Sequence, residues 1–262
     1  MQRLIVCVVF AVASLLASAS NAALIVNMAM PITHTVTVQP IIVSNTDGTN
    51  TAEYFGNGTQ QTIIQGFINT IWAQAGIQVS FLAANTWNND FANVGTPGMN
   101  NPRPTGDLNA VVTNGDAIPG VGNTDPLVLD IYFVEIAAAF SDVGEDVANG
   151  YAFINANGIT QHVGDNLVSF TGGQEVIASV VAHEIGHNLG LPHIDENFNL
   201  MQPGGSSNPG QRLNAGQIGV ARGSQFAIAA VPEPGSAAVL SFAAFAVVVK
   251  RRRRLRPHSK AA

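Results

Sequence analysis

The order of local patterns along the 262-residue chain predicts a small α+β domain with an α/β-like N-terminal lobe. Three observations carry this. Strand-like and helix-like stretches alternate along the middle of the chain, and a helix-poor tail follows. Two of the helical stretches are long and carry apolar stripes. Apolar residues make up 47% of the chain, enough to bury one real core.

The first strand is expected over Ile32 to Val43, where THTVTV and PIIV are β-branched and alternating. Gln61 to Ala75 reads as a helix. Ile64, Phe67, Ile68, Ile71, Trp72 and Ala75 recur at three- and four-residue spacing, and Gly76 suits the stop. Ile77 to Leu82 reads as a second strand. Of the 43 residues from Ala84 to Pro126, 20 are Gly, Asn or Pro, which reads as a long surface excursion with a short strand near Ala110 to Thr113. Leu127 to Ile136 has the composition of a buried strand. Tyr151 to Ile154 and Ile159 to Phe170 supply the remaining strands. A second long helix starts near Thr171, where Thr171 and Gln174 have capping-box spacing, and runs to Gly190 before Pro192. A last helix starts at Asn214, with Leu213 and Ile218 placed as a hydrophobic staple and Gln217 at the third helical position. The sequence contains no internal repeat.

The ends read as addresses. Arg3, the apolar run Leu4 to Leu16 and the small residues ASASNAA come in the order of a secretory signal peptide, residues 1–22. At the other end Val231-Pro232-Glu233-Pro234-Gly235 breaks the chain. Ala237 to Val249 is apolar apart from Ser241, and Lys250 with five arginines follows. Such a segment can anchor in a membrane with its basic end in the cytoplasm. The body, residues 23–230, therefore acts outside the cytoplasm. Residues 231–256 form the anchor segment and 257–262 a short tail. Between Ala23 and Gly235, three bases (Arg103, Arg212, Arg222) face seventeen acids, a formal charge of −14. That balance argues against nucleic acid as a partner. The only cysteine, Cys7, lies in the signal segment, so the mature body has neither disulfide nor thiol chemistry.

The chemistry is concentrated in HEIGHNLGLPH, residues 183–193. His183 and His187 are four residues apart on a helix, so both imidazoles project from one face, one turn apart. Gly190 can take positive φ and reverse the chain, which brings His193 back toward them. Three imidazoles leave a tetrahedral Zn2+ one open position for water. Glu184 is placed to act as general base toward that water. By this chain's own composition, three His, a Glu and a Gly would fall at these offsets in roughly 1 of 10⁵ such chains. A purely structural zinc takes four protein ligands, often cysteines, and the body has no cysteine.

HEIGHNLGLPH resembles the zinc signature of the metzincin metallopeptidases, and Leu200-Met201-Gln202-Pro203 resembles their Met-turn. The short gap and the Met-x-Pro ending are most similar to the matrixin branch. The resemblance implies a twisted mixed sheet, two long helices and a small C-terminal lobe with one helix. It implies His183, His187 and His193 as zinc ligands, Glu184 as base, Gly190 at the turn and Met201 as the floor beneath the metal. Ile194 departs from the serine usual in matrixins, and the inhibitory cysteine of matrixin propeptides is absent. Only His162 of the histidines needed for a second, structural zinc is present, so one zinc is expected, with His34 and His162 as ordinary strand residues. Asp142, Glu145 and Asp146 form an acidic loop without EF-hand spacing; Ca2+ there is the alternative to a solvated loop. The C-terminal segment resembles the PEP-CTERM sorting signal of Gram-negative bacteria. That implies an exosortase-type partner and delivery to the envelope or extracellular matrix.

Together these features predict an exported or envelope-anchored zinc endopeptidase acting on protein or peptide, with Gly150 to Ile154 as the sheet edge that receives substrate. The competing readings are a non-enzymatic matrix or surface protein that keeps the fold, and a zinc hydrolase of another amide such as a cell-wall peptide. The intact Glu184 argues against the first. The segment Gly204 to Arg212 is expected to shape specificity but spells no pocket.

Overall fold

The computed structural model describes residues 24–95, 105–135, 149–153, 158–163, 173–203 and 210–230. The signal segment, the C-terminal segment, the Asp142–Asp146 loop, Thr171 and residues 204–209 lie outside the described residues.

Strand β1 (His34–Ser44) is the spine of the sheet. It pairs in parallel with β2 (Ile77–Phe81), β3 (Asn85–Asn88) and β4 (Val128–Phe133). β4 pairs in parallel with β6 (Gly158–His162), which pairs antiparallel with β5 (Asn149–Phe153). The order among the described residues is β2-β1-β4-β6-β5, so β5 is an edge. A two-residue strand, β7 (Ile228–Ala229), closes antiparallel on the start of β1.

Period-two alternation divides the core. Val36 and Val38 of β1, with Leu129, Ile131 and Phe133 of β4, face one layer. Ile41 and Val43 of β1, with Tyr132 of β4, face the other. Every residue of β4 is buried, as a parallel strand covered on both faces should be. The first layer is covered by the two 16-residue helices α1 (Gly58–Ala73) and α4 (Gly173–Asn188), which also pack on each other. α1 starts three residues before the expected position because Asn57 caps it. The Asn57 side chain accepts from the Thr59 and Gln60 amides, and Gln60 returns a bond to the Asn57 amide. Trp72, fully buried in the last turn of α1, belongs to this layer.

The excursion expected over Ala84 to Pro126 is corrected by the structure. It contains β3, the short helix α2 (Asp90–Val94) and the 12-residue helix α3 (Thr105–Asp116). Ala110 to Thr113 are helical, not a strand. Leu108, Val111 and Val112, at i, i+3 and i+4, are buried against Ile41, Val43 and Tyr132. This second layer is what the Asn- and Gly-rich composition hid. The last helix, α5 (Ala215–Gly223), has the expected Asn214–Gln217 capping box but ends before Phe226, which turns into the core. Among the described residues no helix is long and apolar enough to cross a membrane.

At its edge the second layer buries one acid, Asp130, beside the exposed Asp116. Tyr132 Oη donates to Asp116 Oδ1 at 2.6 Å, and the Asn123 amide donates to both carboxylate oxygens of Asp130. The only arginines among the described residues are engaged elsewhere, Arg212 over the Phe198 ring and Arg222 on the Ala75 carbonyl. Burial, with the Asp116 charge adding to it, pushes Asp130 up from 3.8 to about 8, and burial raises Asp116 as well. The folded chain therefore holds a proton that the unfolded chain releases near pH 4. Stability contributed by this proton is complete below that value and is lost as pH rises toward about 8. Asp130→Asn keeps an acceptor for the Asn123 amide and needs no proton. Urea unfolding across this range should show a flatter pH dependence for the variant than for the natural chain.

Candidate metal centre and active site

The site grows from the end of α4. Gly190 takes φ +91, and the Leu191 amide donates to the Gly186 carbonyl while the Gly190 amide donates to that of His187, both at 2.9 Å. These two bonds are a Schellman stop. The stop turns the Leu191 carbonyl back toward the helix, where it accepts the Nδ1–H of His187 at 2.8 Å. The Nδ1–H of His183 donates to the Leu200 carbonyl at 2.6 Å. A carbonyl can only accept, so both rings carry their proton on Nδ1 and present a bare Nε2 lone pair.

These lone pairs converge on His193. His193 Nε2 lies 3.2 Å from that of His183 and 3.1 Å from that of His187, and one ligand atom from each ring lies within 4.8 Å of the others. His193 has one proton to give and could satisfy one neighbour, not both. A tetrahedral ion with Zn–N bonds of about 2.0–2.1 Å separates its nitrogens by about 3.3–3.4 Å, close to the spacing here. Burial, opposed by the Leu200 hydrogen bond, holds His183 down at about 4, and burial lowers His187 too. These two imidazoles are thus held neutral, as metal ligation requires. The donor set fits Zn2+, with imidazole nitrogens and no thiolate. The three residues predicted as ligands are the three brought together; His34 lies apart in β1, bonded to Thr33 Oγ1.

Met201 is fully buried, and its sulfur packs so closely on α4 that a methyl group at Gly186 would fall 2.5 Å from it. The turn bearing it is held from several sides. The Ile194 amide, next to His193, donates to the Met201 carbonyl, and the Leu200 amide donates to the Arg212 carbonyl. Asn199 Oδ1 accepts from the Met201 amide, and the Asn199 and Gln217 side-chain amides exchange two hydrogen bonds, tying the turn to α5. Asn199, Gln217 and the Leu191 and Leu200 carbonyls were not visible as site residues in the sequence. Backbone acceptors carry no signature, and buried amides resemble surface ones.

Glu184 is 7% exposed. Burial pushes its carboxyl up to about 8, opposed by a hydrogen bond from the Ala152 backbone N–H. Ala152 lies on β5, so the expected base and the edge strand meet directly. The expected edge at Gly150 to Ile154 is thereby found at β5, apart from Ile154, which lies outside the described residues.

A helix carrying two imidazoles and a buried carboxyl beneath a mixed sheet, with a third imidazole returned to it by the turn at Gly190, has the architecture of a zinc hydrolase. More particularly, residues 68–194, from α1 to just past His193, match the family model described as metallo-peptidase family M12B, reprolysin-like. Similar solved structures include metalloproteinase-II from Bacteroides fragilis, with 16% identity over 73% of this chain and 56% of that one and a TM-score of 0.42. The chain thus spans little more than half the length of the Bacteroides protein. Archaemetzincin from Archaeoglobus fulgidus is similar at 14% identity over 71% of this chain and 99% of that one, TM-score 0.43. A zinc-dependent peptidase from Methanocorpusculum labreanum is similar at 13% identity over 70% and 92%, TM-score 0.39. No curated protein sequence matches the chain. The family match supports a metzincin-type zinc metallopeptidase domain.

Gly186→Ala tests the floor. The added methyl must displace Met201, and overpacking of this kind costs about 1–3 kcal/mol. Thermal unfolding should show that loss, and zinc titration should show weaker binding than in the natural chain.

Proposed function

We propose that the chain is an exported zinc endopeptidase. The observation that carries the reading is the pairing of a three-imidazole centre with a buried carboxylate that hydrogen-bonds the edge strand. His183, His187 and His193 would hold the zinc. When bound, the ion supplies Lewis acidity toward a carbonyl and lowers the pKa of a water. The positive charge of a bound ion would favour the ionised form of the buried Glu184 carboxyl, which could then take a proton from the attacking water and pass it to the leaving amine. The Ala152 N–H steadies its carboxylate. β5 offers an open edge on which an extended peptide can lie as an added strand beside Glu184.

Within the metzincins, the eight residues from His193 to Met201 and the Met201-Gln202-Pro203 ending favour the matrixin arrangement. We place the mature body outside the cytoplasm of a Gram-negative cell. Residues 1–22 act as signal peptide, and residues 231–256 act as a PEP-CTERM-type segment recognised by an exosortase-type enzyme and entering the membrane. Ca2+ at Asp142, Glu145 and Asp146 is not needed for this account.

Purified protein should contain one zinc per chain and cleave an unfolded protein substrate, and a chelator should abolish the cleavage. Glu184→Ala should keep its zinc and lose activity by about 10²-fold or more, the contribution of a general base. Equal activity in that variant, or activity indifferent to the chelator, would overturn the mechanism. A zinc-loaded natural chain that cleaves no peptide would favour the matrix-protein reading.

A further inference from the structure

The described chain begins and stops at one end of the sheet. Ala230 donates its amide to the Thr33 carbonyl, and β7 pairs with His34 and Thr35. Around this point Met28 is 89% exposed, Ile228 46%, Ile32 45% and Met30 39%. The exposure is not that of a fraying end. The Ile25 amide is bonded to Gln211, the Asn27 amide to Gln74 and its side chain to the Leu213 carbonyl, and the Met30 amide to the Ala73 carbonyl. Methionine and isoleucine side chains are therefore held outward by a pinned segment.

Charge singles out the same end. In a body with sixteen acids, the segments that form this face, residues 24–33 and 223–230, contain no Asp, Glu, Lys or Arg. Among the described residues, a cation lies against Met30 on this face. Arg222, bonded to the Ala75 carbonyl through Nε, places Nη2 3.4 Å from the Met30 sulfur. Seven residues beyond Ala230 the apolar run Ala237 to Val249 begins, with Lys250 and the arginines after it. At about 3.3–3.6 Å per residue the run starts no more than about 25 Å from the patch.

We propose that this face rests on a phospholipid bilayer, with Met28, Met30, Ile32 and Ile228 in the interfacial region and Arg222 toward lipid phosphate. The inference builds on the reading that the C-terminal segment enters the membrane. It adds that the catalytic body is seated on the bilayer by one defined face instead of swinging on a leash. An uncharged apolar rim can sit at the headgroup boundary, whereas the acidic remainder of the body is repelled from anionic lipid. The opposite end of β1 lies about 33 Å away, well clear of the surface.

The test uses the full chain in phosphatidylcholine vesicles, with and without added phosphatidylglycerol. Cys7 is the only cysteine, so in a Cys7→Ser background Met28→Cys and Thr51→Cys each carry one environment-sensitive fluorophore. Thr51 is exposed and sits beside Ala52, whose amide bonds to Val43 near the far end of β1. Headgroup-level nitroxide lipids should quench most of the emission at position 28, with a blue shift, and leave position 51 unchanged. Ile32→Asp combined with Ile228→Asp should abolish that quenching while the chain still floats with vesicles. A chain that floats with position 28 unquenched overturns the seating and leaves the anchor standing. A chain that does not float overturns both. Shielding of position 28 in a dimer without lipid would assign the face to a second copy and overturn the proposal.

Discussion

Three nitrogen lone pairs aimed at one point are the constraint on which the catalytic half of the molecule turns. Held about 3 Å apart, bare imidazole nitrogens repel, and one shared proton can relieve only one of the contacts. The fold could move them apart, yet it fixes two of the rings by their far side, through the Leu191 and Leu200 carbonyls. A cation is the natural resolution, and three imidazole nitrogens at this spacing suit zinc.

Much of the surrounding structure can be understood as holding those two carbonyls still. The Leu191 carbonyl is set by the stop at the end of α4, which needs Gly190 in its left-handed conformation. The Leu200 carbonyl is set by the turn that Asn199 and Gln217 tie to α5. The same helix α4 is pressed against α1 and against β5 by the larger core cluster. A defect in the C-terminal lobe would therefore reach the metal through Leu200 without touching a ligand.

The site was legible in the sequence because its chemistry is concentrated in eleven consecutive residues with helical spacing and a glycine at the required offset. Strand β1, helix α1 and the capping box at Asn214 were legible for similar local reasons. The region from Ala84 to Pro126 was not. There the apolar positions Leu108, Val111 and Val112 are few, and the signal of the α3 helix is diluted by asparagine and glycine that only tertiary packing makes compatible with a helix. The contact between Ala152 and Glu184 was invisible for a different reason. It is made by a backbone amide, and any residue but proline at that position would offer the same donor.

The most direct test of the central claim is X-ray absorption at the zinc edge of the metal-loaded protein, with the natural chain beside His193→Ala. The account predicts three imidazole nitrogens at about 2.0–2.1 Å with one light oxygen ligand in the natural chain, and loss of one imidazole in the variant. A fourth protein ligand, or an unchanged imidazole count in the variant, would contradict it.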